Sequence, residues 1–226
     1  MNYQQVLKAI QNRDSQDARL EKINRAKLLK LKLKLYKPKR VLTVNTGKIE
    51  GVDKVAQYLK TQLKKAENII TLEGVSGSGK SSTAQLLAGK IGAIRFSFGE
   101  LFRYLTYLRL VKGIDDLEPV FKKLRYRYSG SKLSLWHDKK NVSKGLDREL
   151  RDPKIEALVP KVAEVTQKSS IELFAKEITV LADSGHKIII EGRAFTLDFL
   201  PSDARIKLRC AASVRAKRRL KQIQKK

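Results

Sequence analysis

The sequence predicts an α/β fold: a mostly parallel, doubly wound sheet flanked by helices, with a small antiparallel insertion. Three observations predict this class. Short apolar runs alternate with segments of helical periodicity. A glycine-rich loop lies between one apolar run and the helical segment after it. The 226 residues, 42% of them hydrophobic, suit one domain with a sizeable core better than two independent domains.

The first 64 residues are predicted to contain two helices and at least one strand. Helical spacing of apolar residues predicts a helix over residues 3–11, with a charge-dominated continuation. The strict alternation of residues 30–36 suits a half-buried strand, although a lysine-coated helix end fits it as well, and Pro38 ends either one. Residues 41–45 are predicted to form a buried strand and residues 52–64 a helix.

The remaining elements continue the alternation. Strands are predicted at 69–72, 93–96, 188–190 and 206–208, and helices at 84–88, 101–111, 154–165, 171–181 and 213–226. Residues 125–128 and 132–136 are predicted to form a hairpin with its turn at 129–131. Arginine and tyrosine alternate in its first strand. They could stack on nucleic-acid bases, but a hairpin face packed on the core explains the alternation more simply.

The glycine-rich loop has the spacing of a phosphate-binding P-loop. Residues 74–81 have the pattern G-x-x-x-x-G-K-S. In this spacing backbone N–H groups surround phosphate oxygens, Lys80 reaches the outer phosphates and the Ser81 hydroxyl binds magnesium. The following helix points its positive end at the same anion. The motif predicts binding of a nucleoside triphosphate, with ATP and Mg²⁺ expected, through Gly74, Val75, Ser76, Gly77, Ser78, Gly79, Lys80, Ser81 and Ser82.

Charge and composition limit the partners. The net charge of +26 is larger than the phosphates of one bound nucleotide would explain, and it predicts attraction to polyanions such as RNA, ribosomes or phosphorylated metabolites. A lysine-rich host proteome explains the charge equally well. The single cysteine, Cys210, excludes a disulfide framework. The sequence has neither a membrane-spanning run nor a signal-peptide core. We therefore expect a cytoplasmic monomer with no membrane partner. His137 and His186 are isolated and predict no further metal site.

From residue 67 onward the chain resembles the cytidylate kinases of the nucleoside monophosphate kinase superfamily. Besides the P-loop, the resemblance rests on Phe-Gly-Glu-Leu-Phe-Arg at 98–103, Asn-Val-Ser at 141–143, Leu-Arg-Asp-Pro at 150–153 and Glu-Gly-Arg at 191–193. The hairpin matches the small sheet that bacterial members insert in their monophosphate-binding region. The resemblance implies a P-loop kinase fold and phosphoryl transfer from ATP to CMP or dCMP, which gives CDP or dCDP and ADP.

The order of the elements departs from that family. Family members continue past an arginine-rich lid helix into a last strand and helix. Here residues 4–14 resemble the segment after the lid, and residues 41–45 and 52–64 the final strand and helix. We therefore predict a circular permutation with termini in the lid. It requires residues 41–45 to lie in the same sheet as 69–73. An unrelated basic extension before a truncated kinase is the alternative.

On this interpretation the whole chain, 1–226, is one P-loop kinase domain. Its predicted segments are the second half of the lid (1–40), the last core strand and helix (41–66), the P-loop core (67–95), the monophosphate-binding region (96–175), and the core strands with the first lid helix (176–226).

The resemblance also implies roles for charged residues. Phosphoryl transfer needs groups that position two phosphates and neutralise the transferred one. We expect catalytic roles for Lys80, Arg13 and Arg215, monophosphate binding by Arg103 and Arg193, and magnesium binding by Ser81 and Glu191. Glu191 would act through a metal-bound water, but an ordinary carboxylate at a strand end is the alternative.

The base-reading positions differ from the family pattern. Ala194 stands where family members place a base-reading aspartate, and Phe98 stands where they place a serine. An arginine expected near residues 168–170 is absent. These changes predict altered or relaxed monophosphate specificity. The competing hypothesis is a divergent or inactive kinase fold that binds RNA or ribosomes through its basic lid and residues 27–40.

Overall fold

Two sheets form the framework of the protein. A computed structural model describes residues 2–129, 132–143 and 149–224. The main sheet has five parallel strands in the order β1-β8-β2-β7-β3. These are β1 (Arg40–Asn45), β2 (Ile69–Gly74), β3 (Ile94–Ser97), β7 (Ile188–Gly192) and β8 (Ala204–Arg209). The antiparallel sheet contains β4 (Leu124–Ser129), β5 (Lys132–His137) and β6 (Lys140–Asn141). The predicted α/β class with a small antiparallel insertion is confirmed.

Helices cover both faces of the main sheet. They are α1 (Tyr3–Lys30), α2 (Val52–Gln62), α3 (Lys80–Ile91), α4 (Phe98–Lys112), α5 (Glu118–Lys123), α6 (Pro153–Asp183), α7 (Ala194–Leu197) and α8 (Ala212–Gln224), with a 3-10 turn at Glu149–Arg151. In β7 the side chains alternate between two cores. Ile189 packs with residues of α2 and α3, whereas Ile188 and Ile190 pack with residues of α4 and α6. No helix in the described part of the chain is long and apolar enough to cross a membrane.

Strand β1 lies at one edge of the main sheet. It pairs in parallel with β8, which separates it from β2. The prediction that residues 41–45 and 69–73 share a sheet is confirmed. The prediction of a buried strand is wrong, because only Val44 of this strand is buried while Val41 and Thr43 are exposed. The alternation shows that β1 is covered mainly on one face.

Two elements differ from the sequence prediction. Residues 31–39 form no strand. Instead, the N–H of Tyr36 donates to the carbonyl of Asp198 at 2.8 Å and that of Lys39 to Ser202 at 3.2 Å. The two helices predicted between residues 154 and 181 are one helix, α6. Its middle is polar, yet Thr166, Gln167 and Ser170 are buried there, and the amide of Gln167 donates to Thr196 at 2.8 Å. A buried polar segment resembles a break when only hydrophobic periodicity is considered.

Candidate nucleotide-binding site

The P-loop joins β2 to α3 in a conformation that requires glycine. Gly77 and Gly79 have φ angles of 76° and 87°, a region that side chains with a Cβ rarely adopt. At Gly74 a Cβ would lie 2.7 Å from Ser78 Oγ. That hydroxyl is buried, and no described residue hydrogen-bonds to it. Gly79 also caps α3 without any side-chain hydrogen bond. The first backbone N–H groups of α3 can therefore donate hydrogen bonds to a bound anion.

Lys80 lies at the centre of a cluster of charges. Burial lowers the pKa of its ammonium below the ordinary value of 10.5. Glu191 opposes this shift, while the positive charges of Arg193 and Arg103 add to it. The structure thus brings Lys80 together with both arginines predicted to bind the monophosphate. A desolvated cation with two arginines near it suits a ligand that carries several negative charges.

Two predicted catalytic arginines reach the P-loop from different helices. Arg215 of α8 is buried and donates to the carbonyl of Ser76 at 3.0 Å and to Asp14 at 2.9 Å. Arg13 of α1 is exposed, and its Nη1 lies 3.4 Å from Ser76 Oγ. Both line a cleft of about 460 Å³ with P-loop residues 76–79 and with Arg218. The cleft places the predicted catalytic arginines beside the predicted triphosphate site.

The predicted monophosphate-binding arginines already have carboxylate partners. Arg193 Nη1 lies 2.8 Å from Asp17 of α1, and Arg103 Nε donates to Glu156 of α6 at 2.5 Å. The sequence analysis did not identify these carboxylates or Asp14. Asp14 and Asp17 follow Val6 and Ile10 along one face of α1, and this spacing was the available signal that they point inward.

The two predicted magnesium ligands come from different elements and differ in exposure. Ser81 is exposed in the first turn of α3, whereas Glu191 is 3% exposed at the end of β7. A hydroxyl and a carboxylate are the kinds of oxygen ligand that Mg²⁺ takes, so these residues fit the ion. Within the described ranges, no three His, Cys, Asp or Glu residues form a metal-binding cluster.

The base-reading region is apolar where the family resemblance implies polar groups. Phe98 is 2% exposed, and the centroid of its ring lies 4.0 Å from the ring centroid of Phe174 and 5.8 Å from that of Phe102. It belongs to the core and offers no hydrogen bond to a base. The hairpin tyrosine Tyr126 also packs on this core, 5.1 Å from Phe96. The packing explanation of the Arg-Tyr alternation is confirmed for this residue.

The parallel sheet, its flanking helices and the small antiparallel sheet form the fold of a P-loop nucleoside monophosphate kinase. Residues 70–226, more than two thirds of the chain, match the family model for cytidylate kinase, and the chain belongs to this family.

Curated relatives agree with this assignment. The chain is 32% identical to a cytidylate kinase of Cutibacterium acnes over 168 residues, which cover 70% of this chain and 72% of the relative. It is 30% identical to a cytidylate kinase of Mycoplasmoides gallisepticum over 68% of this chain and 66% of that protein. A bifunctional pantoate ligase/cytidylate kinase of Prochlorococcus marinus is 28% identical over 74% of this chain. The match spans only 33% of that longer relative.

Proposed function

We propose that the protein transfers the terminal phosphoryl group of ATP to CMP or dCMP. The observation that carries this proposal is the convergence of Lys80, Arg103 and Arg193 next to a P-loop covered by Arg13 and Arg215. Phosphoryl transfer depends on positioning two phosphates in line and neutralising the charge between them. Cations that come from several different elements around one P-loop meet both requirements.

In this mechanism the P-loop N–H groups and Lys80 hold the β- and γ-phosphates of ATP. A phosphate oxygen of the monophosphate attacks the γ-phosphorus while the bond to the β–γ bridging oxygen breaks, so that ADP leaves. Arg13 and Arg215 neutralise charge on the transferred group. Ser81 and Glu191 would hold Mg²⁺, and the bound ion would supply positive charge that neutralises the phosphates.

Monophosphate binding proceeds by exchange of ion-pair partners. The side chains of Arg193 and Arg103 are 46% and 32% exposed while paired with Asp17 and Glu156. Partly exposed ion pairs contribute little net stability, so a phosphate can replace the carboxylate at modest cost. Arginine also grips phosphate with two parallel hydrogen bonds, which favours the exchange. Until a monophosphate binds, Asp17 and Glu156 hold the two arginine side chains in place.

We also propose that the family fold is circularly permuted here. The family match begins at residue 70, yet β1 and α2 precede it and complete the sheet and one of its cores. The test is a rearranged chain in which residues 1–66 follow residue 226. Retained folding and turnover would support the permutation. An unfolded rearranged chain would favour an unrelated extension.

The direct test of function is ADP release from Mg-ATP with CMP, dCMP, UMP and AMP offered separately. Turnover with CMP or dCMP that disappears in Lys80→Ala is the expected result. Because Phe98 and Ala194 offer no side-chain hydrogen bond to a base, we also expect weaker discrimination against UMP than polar residues would give. Absence of turnover with all four would contradict the proposal, and salt-sensitive RNA binding would then support the alternative hypothesis.

A further inference from the structure

Arg95 bridges two carboxylates beside the phosphate site. It lies in β3, the edge strand of the main sheet, and its side chain is 19% exposed. Its Nη1 donates to Glu191 Oε1 at 2.5 Å, and its Nη2 donates to Glu100 in the first turn of α4. Neither Arg95 nor Glu100 has a part in the mechanism described above. The two carboxylates differ in exposure, with 3% for Glu191 and 59% for Glu100.

The strand register explains how Arg95 reaches Glu191. In the parallel pair of β3 and β7, Arg95 lies opposite Ile189 and Ser97 lies opposite Glu191. Alternate residues of a strand point to the same face, so Arg95 and Glu191 share the face on which Ile189 packs. That core contains side chains of α3. The helix that carries Lys80 and Ser81 therefore covers the face from which Arg95 extends.

Glu191 is surrounded by more positive than negative charge. Arg95 is positively charged, because the arginine guanidinium is not deprotonated in proteins. Glu191 also acts on Lys80, so one buried carboxylate faces two protein cations. A hydrated Mg²⁺ held by Glu191 requires the same oxygens. Arg95 and the metal ion therefore compete for one anion.

We propose that Arg95 competes with Mg²⁺ for Glu191: Arg95 binds Glu191 as long as no metal–nucleotide complex is bound, and it releases Glu191 when that complex binds. Glu100 makes the release possible, because Arg95 keeps a carboxylate partner when Glu191 turns to the metal. Arg95 is thus a positioning residue that sets the Mg²⁺ concentration at which nucleotide binds. This inference rests on the proposed ATP-dependent function.

The test measures the Mg²⁺ dependence of ATP binding by calorimetry, without any acceptor. Arg95→Gln keeps hydrogen-bonding capacity but removes the charge. We expect it to lower the Mg²⁺ concentration for half-maximal binding by about tenfold, because the metal no longer displaces a charge-assisted hydrogen bond. Glu100→Gln should shift the same midpoint upward, because Arg95 then depends on Glu191. A residue with only a structural role would not give opposite shifts.

Arg109→Gln is the matched control, because Arg109 lies in α4 as Glu100 does but pairs with exposed Asp115 at 3.6 Å. Its midpoint should equal that of the wild type. If all proteins bind ATP and Arg95→Gln keeps the wild-type midpoint, the competition is refuted. If Arg95→Gln does not fold, an unchanged midpoint in Glu100→Gln refutes it. Failure of the wild type to bind ATP at any Mg²⁺ concentration would instead overturn the proposed function, and this inference with it.

Discussion

The contact between Asp14 and Arg215 joins helices α1 and α8, and Asp14→Asn should loosen it. Arg215 is 4% exposed in its side chain and Asp14 30%. Two guanidinium nitrogens donate to the two oxygens of Asp14, one of them at 2.9 Å. An asparagine can accept only one of these bonds and carries no charge. Arg215 retains the carbonyls of Cys210 and Ser76 as acceptors.

We expect Asp14→Asn to lower the free energy of unfolding by about 2 kcal/mol. Breaking a fully buried ion pair costs about 3–5 kcal/mol, but solvent at Asp14 reduces this value. In a domain of this size the melting temperature should fall by about 4–8 °C. Urea unfolding followed by far-ultraviolet circular dichroism measures the change. A cycle of Asp14→Asn, Arg215→Gln and the double variant isolates the pair.

Asp115→Asn is the control, because Asp115 is 89% exposed and its partner Arg109 lies 3.6 Å away. Its unfolding free energy should change by less than about 0.5 kcal/mol. A coupling energy near zero between Asp14 and Arg215 would refute the idea that this ion pair holds α1 and α8 together. So would equal stability of Asp14→Asn and the wild type.

Two further predictions concern the P-loop and the acid stability of the sheet. Gly74→Ala places a Cβ 2.7 Å from Ser78 Oγ, so we expect about 1–3 kcal/mol of destabilisation. Because the P-loop must shift, we also expect at least a tenfold loss of ATP affinity. Circular dichroism measures the stability and calorimetry the affinity, and wild-type values for both would contradict the steric argument. The hydrogen bond from Arg40 lowers the pKa of Glu67 below its ordinary value of 4.5, so the stability that ionised Glu67 contributes is present above pH 4.5 and is lost as the pH falls through the lowered pKa. Glu67→Gln should therefore weaken the pH dependence of the unfolding free energy, measured with urea, below about pH 4.5. An unchanged pH dependence would show that other groups cause it.

Features encoded by consecutive residues could be predicted from the sequence. The P-loop, β2 and α3 were predicted from one run of residues, because the spacing of its glycines, lysine and serine indicates both the turn and the phosphate ligand. The parallel sheet followed from alternating apolar runs, and β1 was placed in it correctly. The edge position of β1 could not be predicted, because exposure depends on which strand lies beside it.

Contacts between distant residues could not be predicted. Arg95 lies in an apolar run that indicates a strand, and nothing in the neighbouring residues shows that its guanidinium pairs with Glu191, 96 residues later. Likewise, the spacing around Arg193 does not reveal that Asp17 pairs with it. The sequence predicted two helices where α6 is one, because the polar residues in its middle find partners only after folding, as Gln167 does with Thr196.

Helix α1 connects the P-loop to a second set of ion pairs. It has 28 residues without a break and spans about 42 Å. Near its C-terminal end Arg25 pairs with Asp198 at 2.6 Å and Lys27 pairs with Glu164, while Arg13 reaches the P-loop about 18 Å away along the axis. Because the helix is continuous between these points, the ion pairs of Arg25 and Lys27 help to set the direction from which Arg13 approaches Ser76.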